Sequence, residues 1–340
     1  MEEIIAKKWI RQREFQGMPC LEDFELVNET LSESLKDGEI LIEAEWLSVD
    51  PFMRGNLFNS PDSPIMPGSQ VASVKRSKHQ DYPVGTKVVA YVGWRDRTIC
   101  NPDTFPQPVF FHKLPDFKGL SDSYALGALG LPGNTALFGI EKVLKVKQGG
   151  ILLVNSAGGA VGSIACQIGL LKGCEVIAFT GSQEKTSWLK QALNVKLAFN
   201  YNSDDIGETL TEHAPNGIDY YFDNVGGDFS YKVLKHMKPH GKVALCGAIS
   251  TYNQSSSEKT EPLLIPFDYW TFIYNHVIME GFRASEYESE WLDGITTLRD
   301  LILDGKILPN ETIAKGFEAM PEAFINIFKG GNIGKQIVKV

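Results

Sequence analysis

Ile151-Leu-Leu-Val-Asn-Ser-Ala-Gly-Gly-Ala-Val-Gly162 decides the fold. A short apolar run ends in a turn of small residues, and a helix-like apolar segment, 160–172, follows at once. Strand, small-residue turn and helix N-terminus in that order are the parts of a dinucleotide-phosphate site. The turn reads Ala157-x-Gly159-x-x-Gly162, with alanine in the first glycine position. Small side chains let the backbone approach a pyrophosphate, and the helix that begins there offers free N–H groups and its positive dipole end. Gly159, Ala160, Val161 and Gly162 are therefore the expected pyrophosphate cradle.

Downstream, 175–180, 196–201, 218–225 and 242–246 read as further strands, and 183–193, 205–213 and 230–237 as helices. That alternation predicts an α/β, Rossmann-type doubly wound parallel sheet covered on both faces. The end of the second strand, Phe179-Thr-Gly-Ser-Gln183, lacks the carboxylate that would hold a ribose 2′-hydroxyl. Lys185 follows within one helical turn and Tyr201 ends the third strand. A cation near hydroxyls suits a 2′-phosphate, so the expected cofactor is NADPH.

The first 125 residues differ in style. Extended segments at 39–49 and 87–92, punctuated by Pro67-Gly68 and Pro83-Val-Gly85, predict an antiparallel, partly barrelled β domain. The tail returns to that style, with a closing strand over 334–340. The expected division is 1–125 plus 313–340 for the β domain and 126–312 for the nucleotide domain, with ligand held in a cleft between them.

The chain has 340 residues, 43% of them hydrophobic and 22% charged, with a net charge of −9. That balance argues against nucleic acid and anionic membrane surfaces as partners. No apolar run approaches the roughly 20 residues that cross a bilayer. The N-terminal residues lack a signal-peptide core, which makes the cytoplasm the expected location. Cys20, Cys100, Cys166, Cys174 and Cys246 form no Cys-x-x-Cys pair, and no His or Asp cluster has metal spacing, so no metal site is expected. The serine-rich run 253–261 reads as a surface loop.

Several strings occur in a telling order: Val49-Asp-Pro-Phe-Met-Arg54, Leu131-Pro-Gly-Asn-Thr-Ala136, Asn155 to Gly162, Tyr221-Phe-Asp-Asn-Val-Gly-Gly227, Cys246-Gly-Ala-Ile-Ser-Thr-Tyr252 and Gly331-Asn-Ile-Gly-Lys335. With them the chain resembles the medium-chain dehydrogenase/reductase superfamily over nearly its whole length. Within it, the match is to the zinc-independent branch of prostaglandin reductases, leukotriene hydroxydehydrogenases and alkenal/one double-bond reductases. Zinc-dependent members carry Gly-His-Glu where this chain has Pro67-Gly-Ser-Gln70, and a cysteine ligand upstream that is missing here.

The resemblance implies a GroES-like catalytic domain beside the NADP-binding one. It implies NADPH-dependent reduction of the α,β carbon–carbon double bond of an enone, such as a 15-oxo-prostaglandin or an alkenal, by hydride transfer to the β-carbon. The competing readings are an NADPH quinone reductase of the same superfamily and a non-catalytic, crystallin-like NADPH-binding protein. It further implies that Lys185 and Tyr201 hold the 2′-phosphate and that Asn224 lies near the cofactor. Cys246, Gly247, Ala248, Ile249, Ser250, Thr251 and Tyr252 would run under the nicotinamide, Phe282, Arg283 and Ala284 would meet its carboxamide, and Asn332 would reach it from the C-terminal segment. Tyr252 is the expected catalytic donor to the developing enolate, because a neutral phenol can donate without carrying charge. Phe52 stands where many relatives have tyrosine, leaving Met53, Arg54, Tyr91 and Trp94 as further pocket candidates beside it. Relatives often dimerise through the edge strands of their nucleotide domains, and the apolar run 271–279 would serve a homodimer.

Overall fold

The computed structural model describes residues 3–55, 63–253 and 269–340. The serine-rich run expected as a surface loop lies, after Asn253, outside them. Among the described residues the strands are β1 (Ile4–Arg11), β2 (Phe24–Leu31), β3 (Ile40–Ser48), β4 (Ser69–Ser77), β5 (Lys87–Tyr91), β6 (Arg97–Cys100), β7 (Phe111–Lys113), β8 (Ile151–Val154), β9 (Glu175–Thr180), β10 (Leu197–Asn200), β11 (Ile218–Asp223), β12 (Met237–Leu245), β13 (Ile278–Gly281), β14 (Glu311–Lys315) and β15 (Lys335–Lys339). The chain divides into two compact units, one running to Leu131 and resuming at Glu311, the other spanning Pro132–Asn310.

The second unit holds a six-stranded sheet in the order β10-β9-β8-β11-β12-β13, with every pairing parallel. Counted from β8, this is the 3-2-1-4-5-6 order of doubly wound dinucleotide-binding sheets, whose strand order reverses between the first and fourth strands. Adjacent strand residues face opposite sides, so burial on both faces yields near-continuous apolar strands. On one face, Leu153, Ile177, Phe179 and Tyr221 pack with Ile206 and Leu210 of the helix Ile206–His213 and with Val233 and Leu234 of the helix Gly227–Leu234. On the other, Gly169 of the helix Ala160–Leu171 lies directly on Leu152 and Val176; a Cβ there would stand 2.4 Å from Leu152 Cδ2. The helix expected over 230–237 starts earlier because Gly226, at φ 70°, launches it, and β12 already begins at Met237, opposite Ile218.

In the first unit the larger sheet runs β14-β15-β3-β4-β5-β7, with β6 also on β3. All its pairings are antiparallel except β14–β15. The first half of β3 lies between β4 and β6 and its end between β4 and β15. Register breaks after Leu41 and Ala44 allow that change of partner by bending the strand. The closing strand expected near the C-terminus is β15. Two cores fill this unit: Ile40, Ile42, Val74, Val88 and Phe111 in one, and Phe15, Phe24, Met53, Trp94 and Phe324 in the other. All five cysteines are free; Cys166 and Cys174 are buried, and the others are partly covered.

Candidate active site

Because every strand of the nucleotide sheet points the same way, the residues just past the strand ends gather on one edge. That edge carries Asn155–Gly162 after β8, Gly181–Lys185 after β9, Tyr201 after β10, Asn224–Gly227 after β11, Cys246–Tyr252 after β12 and Phe282–Ala284 after β13. The sequence-derived candidates of this unit thus fall along the carboxyl edge, where open α/β sheets bind ligands.

The turn after β8 is built to be narrow. Ser156 sits at φ 48°, and a Cβ on Gly162 would lie 2.4 Å from Ser156 O and 2.8 Å from Ala157 Cα. The helix then starts at Ala160 from Gly159, which supplies no side-chain cap and leaves its first N–H groups open to an anion. Gly158, which sequence reasoning passed over, has a separate role. A Cβ on it would stand 2.8 Å from Lys185 Cδ and 2.9 Å from Thr180 Oγ1, so its absence lets the lysine stem lie across the turn.

Lys185 is half-buried, and desolvation lowers its pKa below the ordinary lysine value. Its backbone N–H caps onto Ser182 Oγ at 3.2 Å, but among the described residues its ammonium has no carboxylate partner. Burial outweighs the favourable charge of neighbouring Glu184, so added negative charge is welcome there. Tyr201 flanks it: its hydroxyl lies 2.6 Å from where a Gly181 Cβ would be, and Asn202 Nδ2 donates to Gly181 O at 2.8 Å.

The turns after β11 and β12 are locked together. Cys246 N and Gly247 N donate to Asp223 O at 2.8 and 3.1 Å, and Ser250 Oγ donates to Val225 O at 2.6 Å. Gly227, at φ 63°, would place a Cβ 2.9 Å from Ser250 Oγ. The short helix Ile249–Tyr252 carries Tyr252, whose hydroxyl accepts from Ala248 N at 3.5 Å. Burial raises the Tyr252 pKa, so the phenol stays protonated at neutral pH. Phe282 N donates to Leu245 O at 3.3 Å, Arg283 pairs with Glu286, and Ala284 is buried.

In the β-rich unit, Phe52 lies in the single-turn segment Pro51–Gly55 and packs on the core. Met53 and Trp94, expected as pocket lining, are fully buried core residues; Trp94 stacks on Phe24 at 6.0 Å and meets Phe324 edge-on at 5.7 Å. Arg54 is buried too, its guanidinium 5.2 Å over the Phe15 ring and its Nη2 donating to Phe15 O at 3.4 Å, which ties its segment to Phe15. Tyr91 meets Phe110 edge-on at 5.4 Å, and burial raises its pKa. Asn332 Nδ2 donates to Gly334 O at 2.7 Å, holding its own turn. Among the described residues no group of three or more His, Cys, Asp and Glu side chains is assembled for a metal ion.

Sheet order, glycine cradle and half-buried lysine together define a dinucleotide-binding protein. A family profile described as "N-terminal domain of oxidoreductase" matches residues 7–107, and one described as "Zinc-binding dehydrogenase" matches residues 160–296. The chain is 42% identical to prostaglandin reductase 1 of Bos taurus, across 98% of this chain and 99% of that protein. It is 34% identical to the 2-alkenal reductase (NADP(+)-dependent) of Nicotiana tabacum, across 100% of this chain and 98% of that protein. The crystal structure of CurA in complex with NADPH from Vibrio vulnificus superposes with a TM-score of 0.86 at 32% identity, covering 98% and 99% of the two chains. The chain belongs to the medium-chain dehydrogenase/reductase family, in the branch of the prostaglandin and alkenal reductases.

Proposed function

We propose that this chain reduces the α,β carbon–carbon double bond of enones with NADPH. The observation that carries the reading is the pairing, on one sheet edge, of a phosphate cradle beside the half-buried Lys185 with the protonated, half-buried Tyr252 hydroxyl. The relatives' names give the same chemistry: a prostaglandin reductase, a 2-alkenal reductase and a protein solved with NADPH. The cradle fits that cofactor, because glycine at 158 and 162 lets the Lys185 stem and the turn's own backbone close up tightly, and the half-buried Lys185 ammonium would meet the 2′-phosphate.

NADPH supplies the hydride that goes to the substrate's β-carbon. The chain's own part is electrostatic. The Ser156–Gly162 turn would hold the pyrophosphate through backbone N–H groups, and Lys185 and Tyr201 would hold the 2′-phosphate. Tyr252 donates its hydroxyl to the carbonyl oxygen as negative charge gathers there, and water protonates the α-carbon. Asn224, Phe282, Arg283 and Ala284 are the remaining edge residues assigned to the cofactor. In the β-rich unit, Asn332 is assigned to the cofactor by likeness to relatives, and Phe52, Met53, Arg54, Tyr91 and Trp94 remain the substrate-pocket candidates. The five free cysteines suit a reducing compartment, and we assign the protein to the cytoplasm.

For assembly we propose a homodimer through β13. Tyr269, Trp270 and Tyr274 of the helix Tyr269–Asn275 are 70%, 65% and 72% exposed, and β13 is an edge strand with Ile278 outward. An exposed aromatic patch beside an open edge is a surface that another chain covers. Sedimentation of the wild type and of Ile278→Lys tests it: a dimer that dissociates in the variant supports the assembly, and a wild-type monomer removes it.

The activity test is a panel of acceptors with NADPH: a 15-oxo-prostaglandin, 4-hydroxynonenal and a small quinone. Loss of reduced-nicotinamide absorbance with the first two supports the reading. Turnover of the quinone alone replaces it with quinone reduction, and turnover of none leaves a binding protein.

A further inference from the structure

Behind the edge that carries Tyr252 lies a buried polar network that none of the roles above uses. Asp223, 1% exposed, ends β11, and Asn155, fully buried, follows β8. Four donors converge on the Asp223 carboxylate. Asn155 Nδ2, Val225 N and Gly226 N reach Oδ1 at 2.8, 2.9 and 2.9 Å, and Ser230 Oγ reaches Oδ2 at 2.5 Å. Asn155 is used to its limit as well. Its Nδ2 also donates to Tyr221 Oη at 2.6 Å, its Oδ1 accepts from Asn224 N at 2.6 Å, and its backbone carbonyl accepts from Asn224 Nδ2 at 2.9 Å. The same aspartate's backbone carbonyl takes Cys246 N and Gly247 N, which begin the segment ending in Tyr252.

A polar residue with no exposed surface in the middle of a parallel sheet costs free energy unless its bonds specify something. Here they join three neighbouring edge turns: the phosphate turn that Asn155 opens, the Asn224–Gly227 turn, and the Cys246–Tyr252 turn. We propose that Asn155 and Asp223 are positioning residues that clamp these turns into one body, so that the Tyr252 hydroxyl is held in fixed relation to the phosphate cradle. The proposal rests on the catalytic reading of Tyr252 for its consequence in turnover, and on hydrogen bonding alone for the clamp. Asn155 touches neither substrate nor cofactor by this argument; it acts through Tyr252.

Two measurements test it separately. Amide hydrogen exchange of the protein without cofactor reads the clamp. In Asn155→Ala, segments 223–227 and 246–252 exchange about tenfold or more faster, while β8, β9 and the helix Ala160–Leu171 keep their protection. Ser230→Ala, which removes a single donor and spares Asn155, gives a smaller change in the same segments, and it decides the matter if the alanine variant at 155 fails to fold. Unchanged exchange at 223–227 and 246–252 in these variants overturns the clamp, whatever the reaction is.

A double-substitution cycle on kcat reads the consequence. Asn155→Ala lowers kcat about tenfold in the wild-type background but less than about twofold in Tyr252→Phe, both measured at saturating NADPH. Equal tenfold losses in both backgrounds show that Asn155 does not act through Tyr252 and overturn the proposal. A wild type without enone turnover sinks the functional reading, and the exchange experiment still decides the clamp.

Discussion

Lys335 Nζ lies 3.1 Å from Asp50 Oδ1 with 3% of its side chain exposed, and it donates to the Val49 and Gln336 carbonyls at 2.7 Å. Ser48 Oγ donates to the same carboxylate. This ion pair pins the Asp50 end of the Pro51–Gly55 segment to β15, joining residues 285 positions apart (335 less 50). Removing one partner leaves the other buried and unpaired. Lys335→Met is therefore expected to cost about 3–5 kcal/mol in denaturant unfolding, and adding Asp50→Asn is expected to return part of it. A single variant as stable as the wild type would show the pair to be idle.

Lys185→Ala removes the half-buried cation beside Gly158. The Michaelis constant for NADPH should rise about 10- to 100-fold, the size of a lost charged hydrogen bond, while that for NADH moves little. Equal changes for the two cofactors would place the lysine away from the 2′-phosphate.

Tyr252→Phe keeps the ring and removes the donor. A kcat lowered roughly 100-fold with little change in NADPH affinity is the pattern of an interaction made at the developing oxyanion. Unaltered kcat would take the hydroxyl out of the chemistry.

His112 is buried against Pro108 O, with Nδ1 at 2.6 Å, and burial lowers its pKa from 6.5 to about 4. The unfolded chain therefore takes up a proton that the folded one refuses between those values. Stability contributed by neutral His112 is full above pH 6.5 and drains away as pH falls toward 4, by up to about 3 kcal/mol. His112→Gln should flatten that part of the stability–pH curve; a slope equal to the wild type's would refute the assignment.

Much of the nucleotide sheet was legible because its signals are local. Apolar runs of four to six residues separated by helical patterns lead to β8 through β11, and the Ala157-x-Gly159-x-x-Gly162 turn marks which strand end binds phosphate. The edge run expected over 271–279 is mostly the helix Tyr269–Asn275, and the sixth strand begins only at Ile278, because Ile278-Met-Glu-Gly281 is short and largely exposed and lacks the buried run that announces a strand. Trp94 and Met53 are fully buried in the core, a placement their types left open, because an aromatic or thioether side chain looks alike in a pocket or a core until packing is known. The Asn155–Asp223 pair was hidden for another reason. Each residue alone reads as an ordinary turn former, and only the parallel register of β8 on β11, which sets Val154 opposite Phe222, brings two positions 68 apart to hydrogen-bonding distance.

The state of the thiols acquires meaning from the substrate. Burial pushes Cys100 and Cys246 up to about 12 and raises Cys166 and Cys174, while a hydrogen bond with Glu22, ahead of burial, raises Cys20. Conjugated carbonyl compounds are soft electrophiles that alkylate sulfur only as thiolate. Incubated at neutral pH with 4-hydroxynonenal and no NADPH, the protein should show few cysteine adducts by mass spectrometry, and rapid labelling would contradict this. With every thiol pKa raised, the thiolate that a conjugated carbonyl compound would alkylate is scarce, so the protein is shielded from its own substrate.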